Sequence, residues 1–331
     1  TILDFGRGLT LEKSISGLDL AKAKLIKKEQ DILHSAIDAY TNLILVREKL
    51  GINKKNLNLL NRQVENDKIR LDRGQITIAD LAQSESSFAG AQAKFIEAKN
   101  EMVTAKLEYE KIIGPISDID SLSKKLDFDL KIPESLNNAI EISKINSPDL
   151  IIARLDYEQS EKDVLIARAE LSPSATISLS STKTDDLSSS YDESEKEIAK
   201  ATISWPIFKG GKNTASLNRS KNLQNRKKLL LDHAIRMNDT NVATAWSSLQ
   251  SSRSLLNSVT LQVRAAEIAN EGITVEYESG LGRSTLDVIQ SNSLLLSSKI
   301  SMAESERNYL LSQFKLLQAV GNLSNDYLKL Q

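Results

Sequence analysis

Apolar residues recur along this chain every seven positions over long stretches. Leu11, Leu18, Leu25, Ile32, Ala39 and Val46 form one series, and Leu60 resumes it after Asn53. A companion series runs through Ala36, Leu43, Leu50, Leu57, Val64 and Leu71. In a second stretch Ile235, Val242, Leu249, Leu256 and Val263 repeat the pattern, beside Ala245, Val259, Ala266 and Ile273. A repeat of about 3.5 residues sustained over many turns is the mark of coiled-coil helices. The spacing predicts a helix over residues 9–73. At ~1.5 Å per residue it would be on the order of 100 Å long, too long for a globular core.

The breaks in the pattern divide the chain. All five prolines lie between Pro115 and Pro206, so the flanking arms are free of a residue that costs about 3 kcal/mol in a helix interior. Each long helix is predicted to stop at a glycine turn, Arg73-Gly74-Gln75 and Ser279-Gly280-Leu281-Gly282. Return helices follow over 77–113 and 284–320, making each arm an antiparallel hairpin. Ala89, Ala91, Ala93, Ala98 and Ala105 on the first return helix suit close helix packing or a plain helical surface.

Between the arms the period changes. A polar loop after Gly114-Pro115 leads to a shorter helix over 134–171. Ala175 to Ser180 and Ala199 to Ile207 then alternate apolar and polar residues, as half-buried strands do. They read as a β-hairpin over 174–208 with a long hydrophilic tip around Asp185–Glu193. Its apolar face carries Ala, Ile and Trp205, and suits either a soluble sandwich or a membrane barrel with aromatics at the rim.

The two arms match each other. Asp80, Gln83, Ser84, Glu97 and Gly114 recur at Asp287, Gln290, Ser291, Glu304 and Gly321. Upstream, Gly74 answers Gly280, and Asp4-Phe-Gly-Arg7 answers Lys209-Gly-Gly-Lys212. The predicted organisation is a first repeat over 1–114, a linking equatorial segment over 115–133 and a second repeat over 134–331. Thr1 falls inside what the second copy places as its last strand. The sequence is therefore expected to be N-terminally truncated, lacking a short helix and most of a first hairpin.

Composition narrows the function. Lysine and arginine number 43 against 44 acidic residues, so no basic excess speaks for nucleic acid. Without cysteine there is neither a disulfide nor a thiolate metal site. His34 and His233 sit in long helices without a partner at ligand spacing, and Gly210-Gly211-Lys212 lacks the spacing of a phosphate loop. Neither a cofactor nor a metal is expected, and no Ser/His/Asp set carries a local catalytic signature, so an enzyme is not expected.

Three stretches resemble the outer membrane efflux protein family, the TolC-like channels. They are Trp205-Pro-Ile-Phe-Lys-Gly-Gly-Lys212 entering a long helix, Tyr277-Glu-Ser-Gly-Leu-Gly-Arg283-Ser-Thr-Leu-Asp287-Val-Ile-Gln290, and Arg73-Gly-Gln-Ile-Thr-Ile-Ala-Asp80-Leu-Ala-Gln83. The resemblance covers essentially the whole chain. It implies a mainly α fold with a small β part: a homotrimer whose strands close a β-barrel in the bacterial outer membrane and whose helices extend it as an α-barrel into the periplasm. The implied function is a passive exit duct for tripartite efflux or type I secretion. The implied partners are a periplasmic adaptor, an inner-membrane pump and outer-membrane lipid.

By the same resemblance Asp287 and Gln290 belong to the pore constriction; the family's best-known member has a second aspartate where Gln290 stands. Asp80, Tyr277 and Arg283 match links that hold the hairpins closed. Gly74, Gln75, Thr77, Gly280, Leu281 and Gly282 match the turns where adaptors dock, and Trp205 matches the membrane-interface strand. Asp80 and Asp287 also lie in the first turns of the return helices, where the helix dipole favours a carboxylate. A structural coiled coil without a channel, and a periplasmic adaptor, are the competing readings. The first leaves the hairpin and the matched turns unexplained, and the second has one helical hairpin where this chain has two.

Overall fold

A computed structural model describes residues 1–124, 130–188, 191–280 and 282–324, with the backbone alone at 185–188 and 191–193. Its elements are α1 (Arg7–Asp72), α2 (Ile78–Ile112), α3 (Leu136–Asn146), α4 (Pro148–Ala169), β1 (Ser174–Ser188), β2 (Tyr191–Ser204), α5 (Lys212–Glu278) and α6 (Thr285–Ala319). The chain is mainly helical with one small antiparallel sheet. The element boundaries recur along the chain. Arg7 and Lys212 open the long helices 205 positions apart, and Ile78 and Thr285 open return helices of 35 residues 207 positions apart.

Two predicted elements come out differently. The single helix expected over 134–171 is two, α3 and α4, parted at Ser147-Pro148. Ser147 is extended (φ −62°, ψ 117°) and Pro148 holds the first helical position of α4. Proline has no N–H to continue the ladder of α3, and its ring pushes the preceding residue out of helical geometry. The hydrophilic tip is mostly strand. Pairing runs from Ser174↔Ser204 to Asp185↔Glu193, with an irregularity before Ser188↔Tyr191. Antiparallel backbone pairing needs no apolar face, and Thr182 and Thr184 favour the extended state.

Contacts divide the molecule into two units. The first comprises residues 1–28 and 143–240. Here α4 lies along α1, with Lys13 Nζ 2.6 Å from Asp163 and Lys27 paired with Asp149, and it meets α5 through Lys227 and Asp156 at 2.7 Å. The α1 face turned to α4 carries Ser16, Leu20 and Ala23, all buried. Leu11, Leu18 and Leu25 of the predicted apolar series are 58–63% exposed. Ser16, Leu20, Ala23 and Lys27 make their own heptad-like row, and α4 packs there, with its Asp163 and Asp149 meeting Lys13 and Lys27. Residues 2 and 3 pair with β1 ahead of α1: Ile2 N–H donates to the Ala175 carbonyl at 2.8 Å, and Leu3 and Ala175 form a bridge.

The second unit comprises residues 29–142 and 241–331. One of its clusters joins Leu43, Val46, Ala105 and Tyr109, covered by Ile116, Ile119 and Leu122 of the linking loop. Arg47 holds that loop down, donating to the carbonyls of Ile119 (2.5 Å) and Leu122 (3.0 Å). A second cluster joins Ala139, Val242, Ala245, Leu249, Leu316 and Val320. Ion pairs tie α1 to α6, Asp38 with Arg307 at 2.5 Å and Lys49 with Glu304 at 2.6 Å. Lys124 bridges Glu48 (2.9 Å) and Glu306 (2.7 Å). The backbones of α2 and α6 come within 8 Å of each other, a closeness that small residues permit. Of the predicted alanines, Ala91, Ala98 and Ala105 are buried, while Ala89 and Ala93 face outward.

Candidate functional site at the hairpin tips

Backbone demand builds the two turns. Gly74 stands at φ 68°, its N–H donating to Leu71 O at 2.8 Å and the next N–H, of Gln75, to Arg70 O at 2.9 Å. This is the left-handed glycine stop that returns the last carbonyls of α1 to hydrogen bonds. In the second turn Gly280 (φ 72°) donates to Tyr277 O at 3.2 Å, and Gly282 is also left-handed (φ 83°). Leu281 lies outside the described residues.

Each return helix opens on the same reciprocal cap. Asp80 Oδ2 accepts from the Thr77 N–H (2.9 Å) and hydroxyl (2.7 Å), while Asp80 N–H donates back to Thr77 Oγ1 at 3.2 Å. Asp287 does the same with Ser284, at 2.9, 2.9 and 3.2 Å. Hydrogen bonds to the ionised form, the backbone N–H first and the hydroxyl second, hold both carboxyls below the usual carboxylate range; Arg283 adds its charge at Asp287. Arg283 donates to Glu276 at 2.6 Å, within the same turn, and that carboxylate raises the guanidinium's affinity for its proton. Gln290 is exposed one turn further along α6.

What joins the two hairpins is a residue absent from the predicted set. Asp67, 0% exposed, accepts from the Tyr277 hydroxyl at 2.9 Å and from the Ser84 hydroxyl. Gln63 Nε2 reaches both of its oxygens at 3.1 Å. Tyr277, itself 7% exposed, also meets Thr285 Oγ1 at 3.0 Å. Arg70 lies over its ring at 4.1 Å and donates to its carbonyl at 3.1 Å. Side chains of α1, α2 and α5 thus meet at one carboxylate, and α6 joins them through the Tyr277 hydroxyl. The predicted Tyr277 is in this network; Asp80 and Arg283 bond within their own turns. Asp67 had a readable signal, since it takes the next position after Leu60 in the first heptad series.

Beside the network a cleft of about 620 Å³ opens between the turns, lined by Arg70, Gln75, Asp80, Tyr277, Gly280 and Arg283 among others. Among the described residues no group of three or more His, Asp or Glu is set to hold a metal ion. The arrangement is a buried hydrogen-bond network beside an open cleft. Trp205 lies far along the chain from it, one residue beyond β2, and is 62% exposed.

The outer membrane efflux protein family matches residues 1–115 and 139–322. The chain belongs to that family. The family is one of transport channels of the bacterial outer membrane, and membership sets aside the scaffold and adaptor readings. Relatives include the outer membrane efflux protein BepC of Brucella suis, 25% identical over 94% of this chain and 67% of BepC. The alkaline protease secretion protein AprF of Pseudomonas aeruginosa is 21% identical over 99% of this chain and 69% of AprF. The chain spans about two thirds of the length of these relatives. The crystal structure of the outer membrane protein VceC of Vibrio cholerae shares the fold, with a TM-score of 0.80 at 20% identity over 96% of this chain and 76% of VceC.

Proposed function

We propose that the chain works as a homotrimer forming an outer-membrane channel-tunnel, a passive exit duct of tripartite efflux or type I secretion, opened when a periplasmic adaptor and an inner-membrane pump dock. The observation that carries this reading is the uncovered hairpin. Its register sets Ala175, Ile177 and Leu179 opposite Ile203, Ala201 and Ala199, an apolar face on which Leu179 and Ile203 are 82% and 81% exposed. Water would not favour that face. Lipid would, but only if the open strand edges are closed, because unpaired backbone groups in hydrocarbon cost several kcal/mol each. Strands from further copies supply that closure. The exposed leucine row of α1 is then a face for a neighbouring protomer.

In this reading the repeats over 1–114 and 134–331, joined by 115–133, are the two quasi-equivalent halves of a protomer. The turns at Gly74–Thr77 and Gly280–Gly282 receive the adaptor. Asp67 and Tyr277 form the main link between hairpins, with Asp80 and Arg283 stiffening the turns on either side. Asp287 and Gln290 line the constriction. Movement of the second hairpin would break the Asp67–Tyr277 bond, and energy comes from the pump.

The test is the full-length protein in planar bilayers, where small conductance steps blocked by divalent or trivalent cations are expected. Asp287→Ala should relieve the block. An unchanged block removes Asp287 from the constriction. A protein that gives no conductance and stays out of the outer-membrane fraction overturns the duct.

A further inference from the structure

We propose that the strand-to-helix junction of this chain is a headgroup collar, which seats its exposed arginines and lysines on anionic phospholipid in the adjoining membrane leaflet. The proposal rests on the membrane-channel reading above and specifies the lipid. Three connections converge at this junction. Leu3 bridges to Ala175 beside the start of β1; a Cβ on Gly6 would lie 3.7 Å from Ala169; and Asn213 donates to the Glu170 carbonyl at 3.4 Å. The chain enters α1, leaves α4 and enters α5 in one place.

Two rows of side chains mark a boundary there. Trp205, Ile207 and Phe208 are 62%, 82% and 87% exposed, and Phe5 is 56% exposed. In sequence Trp205 and Ile207 prolong the apolar row of β2 that reaches Ile203, Phe208 follows directly, and Phe5 lies on the connection into α1. The cations begin where that row stops, with Lys209 and Lys212, and with Arg7 and Arg168 on the two neighbouring connections, all exposed. Among the described residues none of the four makes an ion pair. Two carboxylates share the junction. Asp4 is engaged by the Gly6 N–H at 2.8 Å, and Glu170 is exposed. The balance is positive.

Apolar and aromatic surface passing into unpaired cations within a few residues matches the passage from acyl chain to phosphate. A protein partner would leave unexplained why the aromatic surface is continuous with the apolar face of the strands. A zwitterionic surface offers phosphates to four cations but no net counter-charge. Each such cation beside an anionic membrane contributes ~1 kcal/mol.

The test uses the two tryptophans, Trp205 and Trp246. Trp246→Phe, with any tryptophan outside residues 1–331 likewise changed to phenylalanine, leaves Trp205 as the reporter in the full-length protein, reconstituted into phosphatidylcholine vesicles with a minor fraction of brominated phosphatidylglycerol or, separately, of brominated phosphatidylcholine. The expected result is stronger quenching by the brominated anionic lipid, corresponding to a local enrichment of roughly fivefold, which is the ~1 kcal/mol of one contacting charge. Arg7→Gln, Arg168→Gln, Lys209→Gln and Lys212→Gln together should abolish the preference while quenching by brominated phosphatidylcholine persists. Lys24→Gln, Lys28→Gln, Arg226→Gln and Lys228→Gln, the same charge change elsewhere, should leave it intact. Equal quenching by the two lipids, or a preference that survives the junction variant, overturns the collar. No quenching by either lipid overturns the membrane reading itself.

Discussion

The two return helices are copies in length and in their caps, yet they pack by different chemistry. Along α2 the buried seam is Ser84, Ala91, Ala98 and Ala105; along α6, 207 positions later, it is Ser291, Ser298, Ser305 and Ser312. Small volume is what both seams share, because volume sets how closely backbones approach. Polarity is where they part, and each long helix answers its partner. Opposite the serines α5 offers Asn270, whose amide reaches Ser291 at 2.9 Å, Gln262 to Ser298 at 3.2 Å, and Ser252 to Ser312 at 2.8 Å. Opposite Ala105 α1 offers Leu43 and Val46. The first hairpin gathers its polar contacts at one end, on Asp67. The second distributes them along its length, where each hydrogen bond ties one residue of α5 to one of α6 and so fixes the register.

That contrast can be broken most severely at Asp67. Asp67→Ala takes the shared acceptor from the buried Ser84 and Tyr277 hydroxyls and from the half-buried Gln63 amide, with Thr285 left as the one partner of the Tyr277 hydroxyl. A buried group stripped of its partner costs about 1–3 kcal/mol. Hydrogen exchange should accelerate by roughly 10- to 100-fold around residues 63–84 and 270–288, against little change in the region of Leu43 and Ala105. Resting conductance should rise in the same variant. Equal acceleration along both hairpins would remove Asp67 from its role as a local latch.

An exchange between the seams is the sharper test. Ala105→Ser puts a hydroxyl among Leu43, Val46 and Tyr109 and should destabilise by about 1 kcal/mol, less than a fully stranded group because the hydroxyl can bond back to its own helix. Ser312→Ala removes one partner of Ser252, which keeps its bond to the Leu249 carbonyl at 3.0 Å. Its cost should be about 0.5 kcal/mol. Denaturant titration of the two variants measures the difference, and a Ser312→Ala loss larger than that of Ala105→Ser would reverse the assignment.

The caps should show the smallest effect and the least contrast. Asp80 and Asp287 have carboxyls held below the ordinary value near 3.8. The ionised form is favoured by folding, so the contribution is complete above that ordinary value and is lost as pH falls through the lower folded one. Tip hydrogen exchange, corrected for its intrinsic pH dependence, should therefore quicken on acidification below about pH 4. Asp80→Asn and Asp287→Asn should each flatten that response to a similar degree.

Much of this was legible from spacing. The seven-residue series located both long helices, and the glycines after them located the turns, since few other residues hold a left-handed backbone. The break at Ser147-Pro148 was also in the sequence, since a proline inside a predicted helix pushes the residue before it out of helical geometry. The leucine row of α1 was legible as an apolar face, but not what lies against it. Periodicity shows that a face is apolar without saying what covers it, and the face covered by α4 is the one with Ser16, Leu20 and Ala23. At the tips, Asp67 follows Leu60 in one series, while Asn270 and Tyr277 follow Val263 in another. Polar residues at core positions mark the place of a buried network. Their pairing across hairpins depends on how the helices meet, which spacing along one chain does not contain.

One consequence follows from the tip glycines. An added Cβ at Gly74, Gly280 or Gly282 would meet no neighbour within 4 Å, so torsion alone demands glycine there. A bend held by torsion places no requirement on the shape of adjoining side chains such as Gln75 and Ser279. Those positions can therefore change their chemistry while the backbone frame of the tip stays the same.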